Sequence, residues 1–288
     1  MILHIFSQPF LTRAFEAGGV IAAACGLIGY FVVLRAQVFA GDAMSHVAFT
    51  GALAALAAGV DLRLGLFMGC IVFGAALAVV GPRGRADDVV IGNLFAWILG
   101  VGALLLTVYA TRSGNGKAGV SILFGSVFGI TGSQAAVAML VGAGVIIAAL
   151  VLARPLMFAS VDEAVAAASG VPVRLLGLAF LVLLGVTAGE ATQAVGSLLL
   201  LGLLAAPAAT AHTLARTPWT GVALSVALAV VSMWAGLALA YGFPALPPSF
   251  AILAVSTSLY VVAALLTATK RWTAGQGVVR DPARQVAL

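Results

Sequence analysis

Nine apolar stretches alternate with short polar breaks along the chain, over residues 17–34, 43–60, 64–81, 89–110, 134–153, 173–191, 193–214, 220–242 and 249–269. Each is close to the ~20 residues an α-helix needs to cross ~30 Å of hydrocarbon. In lipid, a helix satisfies its own backbone N–H and C=O groups, which an open strand does not. The pattern therefore predicts an all-α polytopic membrane protein, one transmembrane domain over residues 1–288 with nine helices, or eight if one boundary fails. Residues 1–16 lack the long apolar run and small-residue cleavage site of a signal peptide and read as an interfacial segment. Residues 270–288 read as a polar tail.

Two stretches depart from the alternation of spans and turns. Residues 121–131, Ser121-Ile-Leu-Phe-Gly-Ser-Val-Phe-Gly-Ile-Thr, are apolar but too short to cross. They form either a short membrane-level helix sheltered by protein or an external loop with apolar packing residues. The loop 160–172 instead reads as a separate short helix of about two turns over 161–169. Ser160 followed by Glu163 has the spacing of a capping box. Asp162 and Glu163 suit the positive end of a helix dipole, and Gly170 and Pro172 suit its termination. Such a helix serves either as a connector or as a docking element.

Composition fixes the class that periodicity suggests. Hydrophobic residues make up 63% of the 288, charged residues only 8%, and the mean hydropathy is +1.19. A soluble domain carries about a quarter charged residues. The basic pI of about 9.8 is no nucleic-acid signal, because the 14 Lys and Arg residues are scattered at span ends. They orient the chain instead. With the 154–172 loop and the tail on the cytoplasmic side, ten of the 14 lie inside and four, Arg13, Arg63, Arg112 and Lys117, lie outside. For nine spans this puts the N-terminus outside. Cys25 and Cys70 both lie within apolar runs, without a Cys-x-x-Cys motif, and read as packing residues.

Against this background the few ionisable residues inside spans stand out. Asp42 and His46, four apart, share one helical face where the second span begins. They suggest a path for a cation. The competing readings are that Asp42 caps the helix by accepting the Ser45 N–H and that His46 bonds a neighbouring carbonyl. Glu190 is the only acid in the middle of the later hydrophobic region. It lines up with Thr187, Gln193 and Ser197 at helical spacing, which gives attraction or gating of a cation, or an acid reaching water at a helix end near 191–193. Pro207 permits a kink, and His212 near Arg216 reads as an interfacial histidine.

Several motifs together resemble a family. Cys25-Gly-Leu-Ile-Gly through Val32-Val-Leu-Arg, Gly41-Asp-Ala-Met-Ser-His, and Leu123-Phe-Gly-Ser-Val-Phe-Gly occur in order. They are followed by the loop Asp162-Glu163 to Gly170-Val-Pro-Val, and by Gln193-Ala-Val-Gly-Ser through Pro207-Ala-Ala-Thr-Ala. Over about residues 10–270 the chain resembles the integral-membrane permeases of ABC transporters that import zinc, manganese or iron.

The resemblance implies the type II ABC importer permease fold in a bacterial cytoplasmic membrane, working as a pair, a homodimer. It also implies cytoplasmic ATP-binding subunits and an extracytoplasmic metal-binding protein as partners, and no nucleic acid. The 161–169 helix then reads as a coupling helix, with Asp162, Glu163, Gly170 and Pro172 forming its contact with the ATPase. Asp42 and His46 become transient ligands of a divalent cation, zinc first and manganese or iron next; Glu190 joins that path only on its own polar stripe, and Pro207 is read as a gating kink. An acid that is uncommon at position 190 in the family carries no inherited role. No Gly-x-x-x-x-Gly-Lys-Ser/Thr loop is present, so ATP hydrolysis falls to another polypeptide and this chain is not itself an enzyme, binding no cofactor of its own.

Other classes fit less well. An intramembrane hydrolase would need His-Glu-x-x-His or Gly-x-Ser-x-Gly, and neither occurs. An ion-driven secondary transporter would carry inverted repeats, which the sequence does not display. The nearer alternative is an ABC permease for a siderophore or cobalamin, which shares the architecture but needs a wide cavity with few ligands.

Overall fold

A computed structural model of the chain describes residues 9–80, 88–113, 125, 127–197 and 200–279. Ten α-helices account for most of these residues: α1 (Pro9–Leu34), α2 (Val38–Ala58), α3 (Leu62–Val80), α4 (Asp88–Ser113), α5 (Gly132–Val161), α6 (Glu163–Ala168), α7 (Val173–Val195), α8 (Leu200–Leu214), α9 (Pro218–Gly242) and α10 (Pro248–Val279). A 3-10 turn occupies Val127–Gly129. Nine of the helices coincide with the nine apolar stretches. Seven are long and apolar enough to cross a membrane. The other two are α2, whose hydropathy Asp42 and His46 dilute, and α8, which has only 15 residues.

The boundaries differ from the sequence pattern where packing overrides it. α1 begins at Pro9 and runs unbroken through residues read as interfacial, with Leu11 and Ala14 fully buried. α10 continues to Val279, through the first half of the expected tail, and residues 280–288 lie outside the described residues. Residues 121–124 and 126 of the 121–131 stretch also lie outside them, and Val127–Gly129 form the 3-10 turn.

α1 and α7 form the centre. In their spans 78% and 67% of positions are buried, against 11% for α4. α1 packs against α5, α7, α8 and α9, while α7 packs against α1, α2, α3 and α5. α4 lies outermost and leans mainly on α2. In lipid no hydrophobic drive pulls helices together, so close backbone approach and interhelical hydrogen bonds do so. Gly51 of α2 and Gly65 of α3 touch so closely that a Cβ on either would collide with the other's carbonyl. Ser225 Oγ donates to the Gly26 carbonyl at 2.6 Å, tying α9 to α1. Ser256 Oγ donates to the Gly202 carbonyl at 2.9 Å, tying α10 to α8.

One capping device ends three helices. At α1, α2 and α6 the chain turns through a left-handed residue, Ala36 (φ 54), Gly59 (φ 71) and Gly170 (φ 84). In each, the paired bonds of a Schellman motif recur, as in Gln37 N–H to the Val32 carbonyl at 2.8 Å and Val171 N–H to the Ala166 carbonyl at 3.0 Å. Gly170 therefore ends α6 as the sequence predicts.

Candidate functional site

The turn at Arg35–Gln37 sets where α2 starts, and with it the position of Asp42 and His46. Gln37 is the N-cap residue, without a side-chain cap, so Asp42 lies inside the helix. The competing reading of Asp42 as the helix cap is thereby not realised: Ser45 Oγ donates to the Asp42 backbone carbonyl at 2.7 Å, and Gln37 holds the N-cap position. Asp42 and His46 are both partly buried one turn apart, and the carboxylate lies close enough to act on the imidazole through space.

Phe95 of α4 covers the imidazole, with ring centroids 5.2 Å apart. Phe39 meets the Phe95 ring edge-on, centroids 5.8 Å apart. One turn beyond His46, Thr50 Oγ1 donates to the Ile98 carbonyl of α4 at 3.3 Å. α4 thus closes over the acid–imidazole face of α2. Sequence reasoning missed Phe95, and nothing local in its apolar span marks it.

Glu190 occupies a separate place, near the C-terminal end of α7. It is 5% exposed, and its Oε2 has no hydrogen-bonding partner. It lines a cavity of about 260 Å³ with Gln193, Gln134 of α5, Ile21 of α1, and Leu62 and Leu66 of α3. The Arg63 guanidinium acts on its carboxylate through space. The polar stripe predicted along α7 is partly redistributed. Thr187 Oγ1 donates to the Leu183 carbonyl at 2.7 Å, while Ser197 lies past the helix end. The helix break falls at Gly196 and not near 191–193, so Glu190 does not reach water through a frayed terminus. No group of three or more His, Cys, Asp or Glu side chains converges among the described residues, so Asp42, His46 and Glu190 do not form one closed metal cage.

On the opposite loop, α5 runs on through Val161 and absorbs Ser160 into its last turn, where Ser160 Oγ donates to the Leu156 carbonyl at 2.5 Å. The expected Ser160–Glu163 capping box is therefore not made. Asp162 caps α6 instead, its carboxylate accepting the Val165 N–H at 3.0 Å. Glu163 falls in the first turn, where the helix dipole favours an acid. Pro172 is the N-cap position of α7. Glu163, Ala167, Pro172 and Arg174 line an open groove of about 610 Å³.

Pro207 is buried within α8, where it withholds the N–H that would bond the Leu203 carbonyl. His212 stacks on Tyr30 at 4.2 Å, nearly parallel, with Nε2 3.1 Å from the Tyr30 carbonyl. That is a packing role between α8 and α1.

The fold and the order of these features agree with known proteins. The ABC 3 transport family profile matches residues 7–267. The "Manganese transport system membrane protein MntC" of Halalkalibacterium halodurans is 29% identical over 235 residues, 81% of this chain and 80% of that protein. The "Probable iron transport system membrane protein" of Haemophilus influenzae is 25% identical over 267 residues, 91% of this chain and 95% of that protein. The solved structure of PsaBC from Streptococcus pneumoniae in complex with Fab superposes with a TM-score of 0.79 and 26% identity, covering 91% of this chain and 95% of that chain. On a match that spans nine-tenths of its residues and the whole helical core, this chain belongs to the ABC 3 transport family, as a multi-pass permease of a bacterial metal ABC importer in the cytoplasmic membrane.

Proposed function

We propose that the chain is one half of a homodimeric permease that moves a divalent transition-metal cation inward by alternating access. Cytoplasmic ATP-binding subunits supply the energy, and an extracytoplasmic metal-binding protein delivers the cargo. The observation that carries this reading is the Asp42/His46 pair on α2, free of capping duty and covered by Phe95. A carboxylate with an imidazole suits zinc, manganese and ferrous iron alike. Relatives named for manganese favour that metal ahead of zinc and iron as cargo. Two ligands per chain hold a cation weakly, as passage requires, whereas a closed four-ligand cage retains it.

In this reading the cation passes Glu190 near the external face and then Asp42 and His46. α6 is the coupling helix, presenting Asp162 and Glu163 to the ATPase, with Gly170 and Pro172 fixing its exit. Pro207 supplies the flexible point in α8.

The test is uptake of radioactive manganese by cells carrying the complete transporter. Asp42→Ala and His46→Ala abolish uptake while the complex with the ATPase still assembles. Normal uptake in both variants would falsify the path. Growth rescue with manganese, zinc and iron supplied separately identifies the cargo.

A further inference from the structure

The cavity at Glu190 has a chemistry of its own. Its wall is built from four helices far apart in sequence: Ile21 of α1, Leu62 and Leu66 of α3, Gln134 of α5, and Glu190 and Gln193 of α7. All its polar side chains among the described residues are oxygen-bearing, with Thr192 the fourth, and no His, Cys or Met lines it. Glu190 is almost wholly buried, yet Oε2 has no partner, and the Gln193 Nε2 is likewise unpartnered. Gln134 is fixed by the α5 capping box, its Oε1 accepting the Thr131 N–H at 2.9 Å and keeping a second lone pair.

A buried carboxylate without a partner is costly, and such groups call for an ion or water that completes them. At about 260 Å³ the cavity holds a cation with several of its waters. Carboxylate, amide and hydroxyl oxygens suit hard cations of the manganese, calcium and magnesium class and lack the nitrogen and sulfur donors that raise zinc affinity most. The amide of Gln193 turns over to present its oxygen at no cost in shape. Arg63 acts on the same carboxylate and opposes a bound cation, so retention is weak.

We propose that this cavity is a second cation site, contained within one copy of the chain, in which Glu190 and Gln193 hold a hydrated hard divalent cation apart from the Asp42/His46 pair. The inference rests on the reading of the chain as a metal permease and deepens it. It makes the Glu190 cavity an oxygen-only site, at which zinc's advantage over manganese is smaller than at the imidazole-bearing Asp42/His46 pair.

The experiment is equilibrium binding of Mn2+ to the purified permease–ATPase complex, read by electron paramagnetic resonance, in wild type and three variants. Glu190→Gln, nearly isosteric, loses one Mn2+ per permease chain or weakens it by about tenfold or more, the scale of ligand-shell changes. The double variant Asp42→Ala/His46→Ala keeps that Mn2+. Arg63→Gln binds it more tightly, a gain that a purely structural Glu190 would not produce. Calcium competes for the site, and the ratio of zinc to manganese affinity is lower there than at the Asp42/His46 pair left in Glu190→Gln. Unchanged Mn2+ stoichiometry and affinity in Glu190→Gln, no tightening in Arg63→Gln, or zinc favoured over Mn2+ at this site as strongly as at the Asp42/His46 pair overturns the proposal. Uptake that survives loss of Asp42 and His46 would refute the transport path while leaving these binding outcomes standing, so the two failures are distinct.

Discussion

The imidazole of His46 lies under the ring of Phe95, centroids 5.2 Å apart and planes tilted by 60°. Phe95 belongs to α4, the most exposed of the spans, which leans mainly on α2. A loosely held helix thus provides the cover of the most unusual face in the bundle. Phe95→Ala exposes the imidazole at a stability cost of about 1–2 kcal/mol, below the ~3–5 of a fully buried phenylalanine. In a chain with His4 and His212 replaced, diethyl pyrocarbonate then modifies His46 faster than in the same background with Phe95 intact. Equal rates would remove α4 as the cover.

The cap of α6 separates two neighbouring residues. Asp162→Ala removes the acceptor of the Val165 N–H and costs the helix about 1 kcal/mol. Ser160→Ala leaves the cap untouched, because Ser160 Oγ bonds the Leu156 carbonyl within α5. Coupled ATP hydrolysis by the assembled transporter falls in the first variant and holds in the second. The reverse order would restore the Ser160 capping box.

The α2–α3 crossing has no room for a side chain. A Cβ at Gly51 or Gly65 meets backbone carbonyl, which cannot rotate away. Gly51→Val and Gly65→Val each force the helices apart and cost at least the ~1–3 kcal/mol of an overpacked core. Thermal unfolding in detergent measures this, with Gly100→Ala, where nothing lies within 4 Å, as the neutral control for steric clash.

Ala36 takes a left-handed turn that the chain gives to glycine at positions 59 and 170. A Cβ in that conformation costs about 1–2 kcal/mol. Ala36→Gly relieves it, offset in part by the greater freedom of glycine in the unfolded chain, and raises stability by about 0.5–1 kcal/mol. A melting temperature below wild type would indicate that the Ala36 methyl is itself held by packing.

Pro207 tests motion against stability. A proline inside a helix costs about 3 kcal/mol, and Pro207→Ala returns the missing N–H. The variant melts no lower than wild type and transports manganese more slowly. Unimpaired uptake would leave Pro207 with packing alone.

The sequence by itself determined what is local. Span positions follow from apolar run length, and the common face of Asp42 and His46 follows from the helical repeat. The end of α6 at Gly170 follows from the one residue type that turns left-handed without penalty. The motifs also carried the family, which the match over residues 7–267 bears out. The tertiary structure decided everything that depends on which surfaces meet. The continuation of α5 through Val161 moved the cap from Ser160 to Asp162. Packing moved the helix break to Gly196, put Phe95 over His46, and brought Gln134 and the Arg63 charge to Glu190. None of these pairings is written in hydropathy, because in a bilayer every apolar face is equally at home against lipid. Only close backbone fit and a handful of hydrogen bonds choose its neighbour.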